Sequence, residues 1–162
     1  MQSLKSKKPV LVIIIIAICV AIYVVMFHVP RPVMIGEEMI LSAGGGTYEA
    51  IDENDNVIDT FEYGEGQIFV KVERDNTYAT IDADKLAEIL KSTNCLMEVI
   101  NPPFDGNEKI YDISLLTNNG MVNIFIGEEN VFWYRSGDDT FKNRVIDGET
   151  FTQRITDALI FY

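Results

Sequence analysis

Histidine is almost absent from this chain of 162 residues, and its single copy, His28, lies near the N-terminus. No imidazole follows it, so residues 29–162 contain no Ser-His-Asp or Cys-His catalytic group and no HExxH zinc site. The motifs Ser-x-x-Lys and Gly-x-Ser-x-Gly are missing too, which argues against a Ser–Lys hydrolase and a nucleophile elbow. We therefore predict that the protein is not an enzyme and has no catalytic residue, metal site or cofactor.

Cysteine is scarce as well, with Cys19 inside a long apolar run and Cys95 alone in the rest of the chain. A single cysteine cannot close an internal disulfide, so this part of the chain must rely on its core for stability. Because Cys95 opens an apolar strand and no histidine can activate its thiol, we expect a small, buried hydrophobic residue there. The alternatives are an intermolecular bridge and a reactive thiol.

Basic side chains are outnumbered, with 13 Lys and Arg against 25 Asp and Glu. Lys5, Lys7 and Lys8 precede the apolar run, which leaves 10 basic and 25 acidic side chains, 10 − 25 = −15, in residues 31–162. Proteins bind phosphate backbones by displacing counterions with Lys and Arg, so a surface this acidic repels them. Nucleic acid is not expected as a partner.

The chain does contain a run of 18 uncharged residues, 10–27. As a helix this run is about 27 Å long, close to the thickness of a bilayer core, and a helix satisfies its own backbone groups in lipid. The preceding lysines predict a cytoplasmic N-terminus, and Pro30 and Pro32 mark the exit from the membrane. A cleaved signal peptide and a buried helix of a soluble domain are the alternatives.

These features divide the chain into four parts and make membrane lipid an expected partner. The parts are a cytoplasmic basic tail at 1–8, a transmembrane signal anchor at 9–29, a juxtamembrane connector at 30–46 and an extracytoplasmic α+β domain at 47–162.

Alternating and continuous apolar runs between turn residues predict the strands of the domain. They lie at 47–51, 57–63, 67–72, 77–81, 95–100, 109–117, 121–127 and 131–135. Two amphipathic helices are predicted after the capping residues Asp82 and Asp147, the second over residues 149–160. The fold class is α+β, a transmembrane helix followed by a mainly antiparallel sheet of about six to seven strands with two packed helices.

Phe132, Trp133 and Tyr134 form the densest aromatic cluster. On a strand Trp133 points away from its two neighbours, so Phe132 and Tyr134 form a candidate binding patch if their face is exposed. Ordinary packing on both faces of a covered sheet is the alternative.

Two kinds of acidic motif suggest metal binding or acid–base catalysis, but both are better explained as turns. The spacing Asp52-x-Asn54-x-Asn56 is similar to the start of a calcium loop, yet Val57 and Tyr63 stand where that loop needs Gly and Glu. We expect a hairpin turn there. Adjacent carboxylates at 128–129 and 138–139 are expected to be solvated turn residues rather than an acid–base pair.

The anchor, the acidic balance and several short motifs resemble the small membrane-anchored extracytoplasmic domains of unknown function of Gram-positive bacteria. The motifs are the run 84–90 (DKLAEIL), Tyr111-Asp112-Ile113, Asn119-Gly120 and the run 123–127 (NIFIG). The resemblance covers residues 75–160, transfers no site residue, and implies a bacterial cell-envelope setting.

Together these features predict a single-pass, membrane-anchored binding or interaction module at the outer face of the cytoplasmic membrane. Its expected partner is an envelope protein or a cell-wall ligand. One alternative is a carboxylate-based or metal-dependent cell-envelope hydrolase built from scattered Asp and Glu. Another is an accessory subunit of a membrane complex.

Overall fold

The computed structural model describes residues 7–41, 45–72, 77–99, 109–127, 131–135 and 141–162. Its first element is the helix α1, Lys7–His28. Within it, Pro9–His28 is apolar enough to cross a membrane, with a mean hydropathy of 3.4 and no part of that window buried. Arg31 closes the C-terminal end of α1, because its Nη2 donates hydrogen bonds of 3.2 Å to the carbonyl oxygens of Val25 and Met26.

Eleven strands lie in the described part of the chain. They are β1 (Arg31–Pro32), β2 (Gly46–Ile51), β3 (Val57–Tyr63), β4 (Gln67–Val72), β5 (Thr77–Asp82), β6 (Asn94–Val99), β7 (Lys109–Thr117), β8 (Gly120–Gly127), β9 (Val131–Arg135), β10 (Phe141–Val145) and β11 (Leu159–Phe161). Nine of them form one antiparallel sheet in the order β1-β6-β10-β9-β8-β7-β4-β5-β11, and β2 and β3 form a separate hairpin.

The α+β class and the mainly antiparallel sheet are confirmed, but the sheet is larger than the six to seven strands expected. The short strands β1 and β10 contain charged and polar residues and lack an alternating apolar pattern. They become strands because β6 lies between them and pairs with both.

Two helices, α2 (Ala83–Lys91) and α3 (Gly148–Ala158), pack on one face of the sheet. Both predicted caps are confirmed, since the Asp82 carboxylate accepts from the Lys85 N–H at 2.9 Å and Asp147 accepts from the Thr150 N–H at 3.3 Å. The shared core contains helix residues Leu86, Ile89, Leu90, Phe151 and Ile155, and strand residues Val70, Ile81, Ile113, Ile124 and Trp133.

The helix α3 ends at Ala158, two residues before the end predicted from sequence. Residues Leu159–Phe161 leave the helix and become β11, which pairs with β5 from Leu159 opposite Ile81 to Phe161 opposite Ala79. The apolar periodicity of the sequence predicted that the helix continues to residue 160. In the structure these residues instead find backbone hydrogen-bond partners along the edge of β5, which exists only in the assembled sheet.

The stretch predicted as a juxtamembrane connector contacts the domain closely between residues 31 and 41. Val33 and Met34 belong to the core, with 2% and 5% of their surface exposed. Further along, Ile40 forms a β-bridge with Thr117, and the Leu41 N–H donates to the Leu116 carbonyl at 2.7 Å. The folded domain therefore begins well before residue 47.

Candidate functional site

The sheet face opposite the helices carries a groove of about 290 Å³, between β4 and β7. The register between these two strands pairs Lys71 with Asp112 and Val72 with Tyr111. Beyond that pairing, Phe69 on β4 and Ser114 on β7 both line the groove. The site thus lies where two neighbouring strands of one sheet separate.

The hairpin of β2 and β3 forms the aromatic wall of this groove. Tyr48 stacks on Phe69 with ring centroids 4.2 Å apart, and Tyr63 lies against the same ring at 5.8 Å. A second contact joins Phe61 to Tyr78 at 4.3 Å. These rings fasten the hairpin to the sheet, because each aromatic pair contributes on the order of 1 kcal/mol beyond its buried area.

Glycine permits the close approach of the chain that enters the hairpin. Gly45 has a φ of +74°, and a Cβ there would lie 2.9 Å from backbone atoms of Tyr63, Gly64 and Glu65. At Gly46 a Cβ would lie 2.8 Å from the Tyr63 hydroxyl. A Cβ at Gly45 would push the chain away from the backbone at the end of β3, whereas at Gly46 it would meet only the far end of the Tyr63 side chain.

The polar groups of the groove come from both strands, Lys71 from β4 and Asp112 and Ser114 from β7. Lys71 and Asp112 are opposite each other in register, so a cation and an anion are neighbours across the two strands. The Ser114 hydroxyl also lines the groove and donates to Asn123 Oδ1 at 2.8 Å, so its oxygen remains an acceptor for a ligand. On β5, the other neighbour of β4, burial raises the pKa of Tyr78.

Phe132 and Tyr134 lie on the same sheet face as the groove, two strands away from β7, and both are half-buried. Tyr134 stacks on Phe125 at 5.5 Å, and the Lys142 ammonium lies 5.5 Å from the centre of the Tyr134 ring. Trp133 points the other way and is only 6% exposed. The structure therefore groups Phe132 with Tyr134 but places neither in the lining of the groove.

Cys95 and Asp52, which were also considered from sequence, have structural positions outside the lining of the groove. Cys95 is buried and free, as predicted, and burial raises the pKa of its thiol. Asp52 accepts hydrogen bonds from the backbone N–H groups of Asn54 and Asn56 at 2.8 and 3.0 Å, and from the Asn56 side chain, which together lower its pKa. It closes the predicted hairpin turn. The carboxylate pairs at 128–129 and 138–139 lie outside the described residues.

Chemically, the groove combines an apolar surface with a few polar groups. Its described lining offers three aromatic rings, one ammonium, one carboxylate and the hydroxyl groups of Ser114, Tyr48 and Tyr63. Across the described residues, no group of three or more His, Cys, Asp and Glu side chains could hold a metal ion. Its volume lies near the lower end of ligand pockets, which suits one sugar ring or one amino-acid side chain.

The sequence analysis missed the groove, although a signal was present. Aromatic residues recur at alternating positions, Phe61 and Tyr63 on β3, with Tyr48 on β2 and Phe69 on β4. Alternation on adjacent strands places such rings on one face. No local pattern, however, indicates that β4 and β7 are neighbours, since they are separated in sequence by β5, α2 and β6.

Comparison with known proteins adds no relative, because no protein-family model, curated protein or solved structure matches this chain.

Proposed function

We propose that this protein is a single-pass membrane protein whose domain binds a ligand outside the cytoplasmic membrane, in the groove between β4 and β7. The observation that carries the proposal is the groove itself, where three aromatic rings face Lys71, Asp112 and Ser114. Apolar rings beside a few convergent polar groups are the usual composition of a ligand pocket.

The proposed location follows from α1 and the charges around it. Pro9–His28 is apolar enough to span a bilayer, and three lysines precede residue 9. An excess of Lys on one side of a spanning segment retains that side in the cytoplasm. Residues 1–8 are then cytoplasmic, 9–29 are an uncleaved signal anchor, and the folded domain is extracytoplasmic.

Binding is favoured over the alternative of a carboxylate-based or metal-dependent hydrolase. Carboxylate hydrolysis of a glycoside needs two carboxyl groups about 5 to 10 Å apart. The described lining of the groove contains one, Asp112. Its register partner on β4 is Lys71, a cation and not a second carboxyl group.

We infer that the ligand is a fragment of the cell envelope, either a cell-wall polymer or a segment of an envelope protein. The groove is open along the face and accepts one ring-sized group from a longer chain. The rings provide a stacking surface, while Asp112 and Ser114 can hydrogen-bond hydroxyl or amide groups.

The proposal is tested with the full chain in nanodiscs, exposed to soluble glycan and peptide fragments of purified cell wall. We expect at least one fragment class to bind saturably, and Asp112→Asn or Ser114→Ala to weaken it about tenfold. Glu88→Gln, an exposed substitution on α2 outside the groove, is the matched control.

Two outcomes would contradict the proposal. Fragment binding that is unchanged in both groove variants would place the site elsewhere. Turnover of a fragment by the wild-type protein, lost in Asp112→Asn, would favour the hydrolase instead.

A further inference from the structure

A second cleft, of about 260 Å³, lies at the foot of α1. It is formed by the chain leaving α1, the C-terminal end of α2, the start of β6 and the first turns of α3. The lining includes Pro30, Ser92, Asn94, Ile146, Asp147 and Arg154. It lies on another part of the domain from the groove, and the two sites share no lining residue.

Arg154 is the cation of this cleft. Its hydrogen-bond partner is a hydroxyl group and not a carboxylate, which is unusual in so acidic a chain. Its Nη2 donates to the Ser92 hydroxyl at 2.8 Å, and within the described residues no carboxylate lies within 4 Å to form an ion pair with it. By contrast, Arg135 is paired with Glu38, and Arg144 with Glu98. A guanidinium has five donors, so most of those of Arg154 remain available to an anion.

Ser92 holds the guanidinium in place. Its hydroxyl lies 2.9 Å from the carbonyl oxygen of Glu88 and 3.0 Å from that of Ile89, in the last turn of α2. Because a helix end fixes Ser92, the Arg154 side chain is oriented before any ligand arrives. Such preorganisation reduces the entropy lost on binding.

The position of the cleft identifies the source of the anion. Pro30 lines the cleft and follows the last residue of α1, His28, by two positions. If α1 spans the bilayer, as the proposed function holds, Pro30 lies in the headgroup region, which adds several ångströms of polar material beyond the hydrocarbon core. The most concentrated anion there is the lipid phosphate.

We infer that this cleft binds the headgroup of a glycerophospholipid, with Arg154 donating to the phosphate. Guanidinium and phosphate form charge-assisted, bidentate hydrogen bonds. Asp147 lies in the same cleft, where its Oδ1 accepts from the Thr150 N–H, and its second oxygen can accept from an ammonium group. A zwitterionic ethanolamine headgroup therefore fits better than an anionic one. Ile146, 47% exposed, adds an apolar contact for the glycerol.

The test uses the full chain in a non-ionic detergent, titrated with dihexanoyl phosphatidylethanolamine, dihexanoyl phosphatidylglycerol or inorganic phosphate, and read out by native mass spectrometry. We expect one saturable phosphatidylethanolamine site, weaker binding of phosphatidylglycerol, and about tenfold weaker phosphatidylethanolamine binding in Arg154→Gln. Arg154→Lys retains the charge and should bind with intermediate affinity. Lys85→Gln removes the same charge at an exposed position outside the cleft and should bind like the wild type.

Three results would overturn the inference. These are the absence of saturable lipid binding, equal lipid binding by Arg154→Gln and the wild type, and inorganic phosphate binding as tightly as the lipid, which would indicate a free-phosphate site. Carbonate extraction of native membranes separates this inference from the proposed function. A chain that is extracted refutes the anchor, whereas a chain that is retained but shows no lipid site refutes the inference alone.

Discussion

The carboxylate of Glu38 and the guanidinium of Arg135 form a bidentate ion pair, with two nitrogen–oxygen distances of 2.7 Å, although 97 residues separate them. Glu38 is 1% exposed, and its Oε1 also accepts from the Thr117 hydroxyl at 2.7 Å. The pair fastens the chain that has just left α1 to the ends of β7 and β9. It therefore joins the segment that follows α1 to the sheet that carries the groove.

Glu38→Gln should destabilise the domain by about 3 kcal/mol, because removing one partner of a buried ion pair leaves the other charge uncompensated. The free energy of unfolding is measured by urea titration of the single tryptophan, Trp133, which lies in the core. Glu88→Gln is the control, since its pair with Lys85 is exposed and should be worth less than about 1 kcal/mol. Equal losses of unfolding free energy in the two variants would show that the buried pair stabilises the domain no more than the exposed pair does.

Stability should depend on pH through Glu38. Burial raises its pKa, but hydrogen bonds from Arg135, Thr117 and the Ile35 N–H outweigh burial and hold the pKa below the ordinary value of 4.5. A carboxyl with a lowered folded pKa stabilises the protein above its unfolded pKa, and the contribution disappears as the pH falls through the folded pKa. Unfolding free energies from pH 7 to pH 3 should fall below about pH 5. In Glu38→Gln the unfolding free energy should fall less steeply with decreasing pH. An identical pH dependence in the variant and the wild type would contradict the role given to Glu38.

Two glycines with similar backbone conformation should respond differently to alanine. Gly45 and Gly66 have φ values of +74° and +82°, but only at Gly45 would a Cβ meet backbone atoms, at 2.9 Å. Gly66→Ala should cost about 1 kcal/mol of conformational strain alone. Gly45→Ala should cost at least about twice that and weaken ligand binding in the groove. Equal costs in urea titrations would argue against tight packing where the hairpin begins.

The Cys95 thiol should be unreactive in the folded protein. Burial raises its pKa, so little of the reactive thiolate forms near neutral pH, and reagents cannot reach a side chain that is 1% exposed. A water-soluble maleimide should label Cys95 only after unfolding in urea. Rapid labelling of the native protein would contradict the buried position.

Because Cys95 should not react in the native protein, an introduced cysteine can be used to test the topology of the chain. Thr47→Cys places a thiol at an exposed position of β2, and a membrane-impermeant maleimide should label it in intact cells. Ser3→Cys, which precedes α1 in the sequence, should be labelled only after the membrane is permeabilised. The opposite pattern would reverse the proposed orientation.

The local elements were predictable where the signal lies within a few residues. The caps Asp82 and Asp147, the hairpin turn at Asp52 and the strands Val57–Tyr63, Gln67–Val72 and Val131–Arg135 follow from spacing and turn chemistry. The end of α3 was not predictable, since residues Leu159–Phe161 are apolar enough for either state. They form a strand because they pair with the edge of β5.

By itself, the sequence determined the apolar N-terminal helix, the caps and most strands, the acidic balance and the lack of imidazole chemistry after His28. Each of these depends on composition or on neighbours a few positions apart. Only the tertiary structure decided that Glu38 meets Arg135, that Asp112 and Tyr48 line one groove, and that Arg154 and Pro30 line one cleft. These contacts join distant parts of the chain, and which faces meet is determined by the packing of the whole sheet and not by any local pattern.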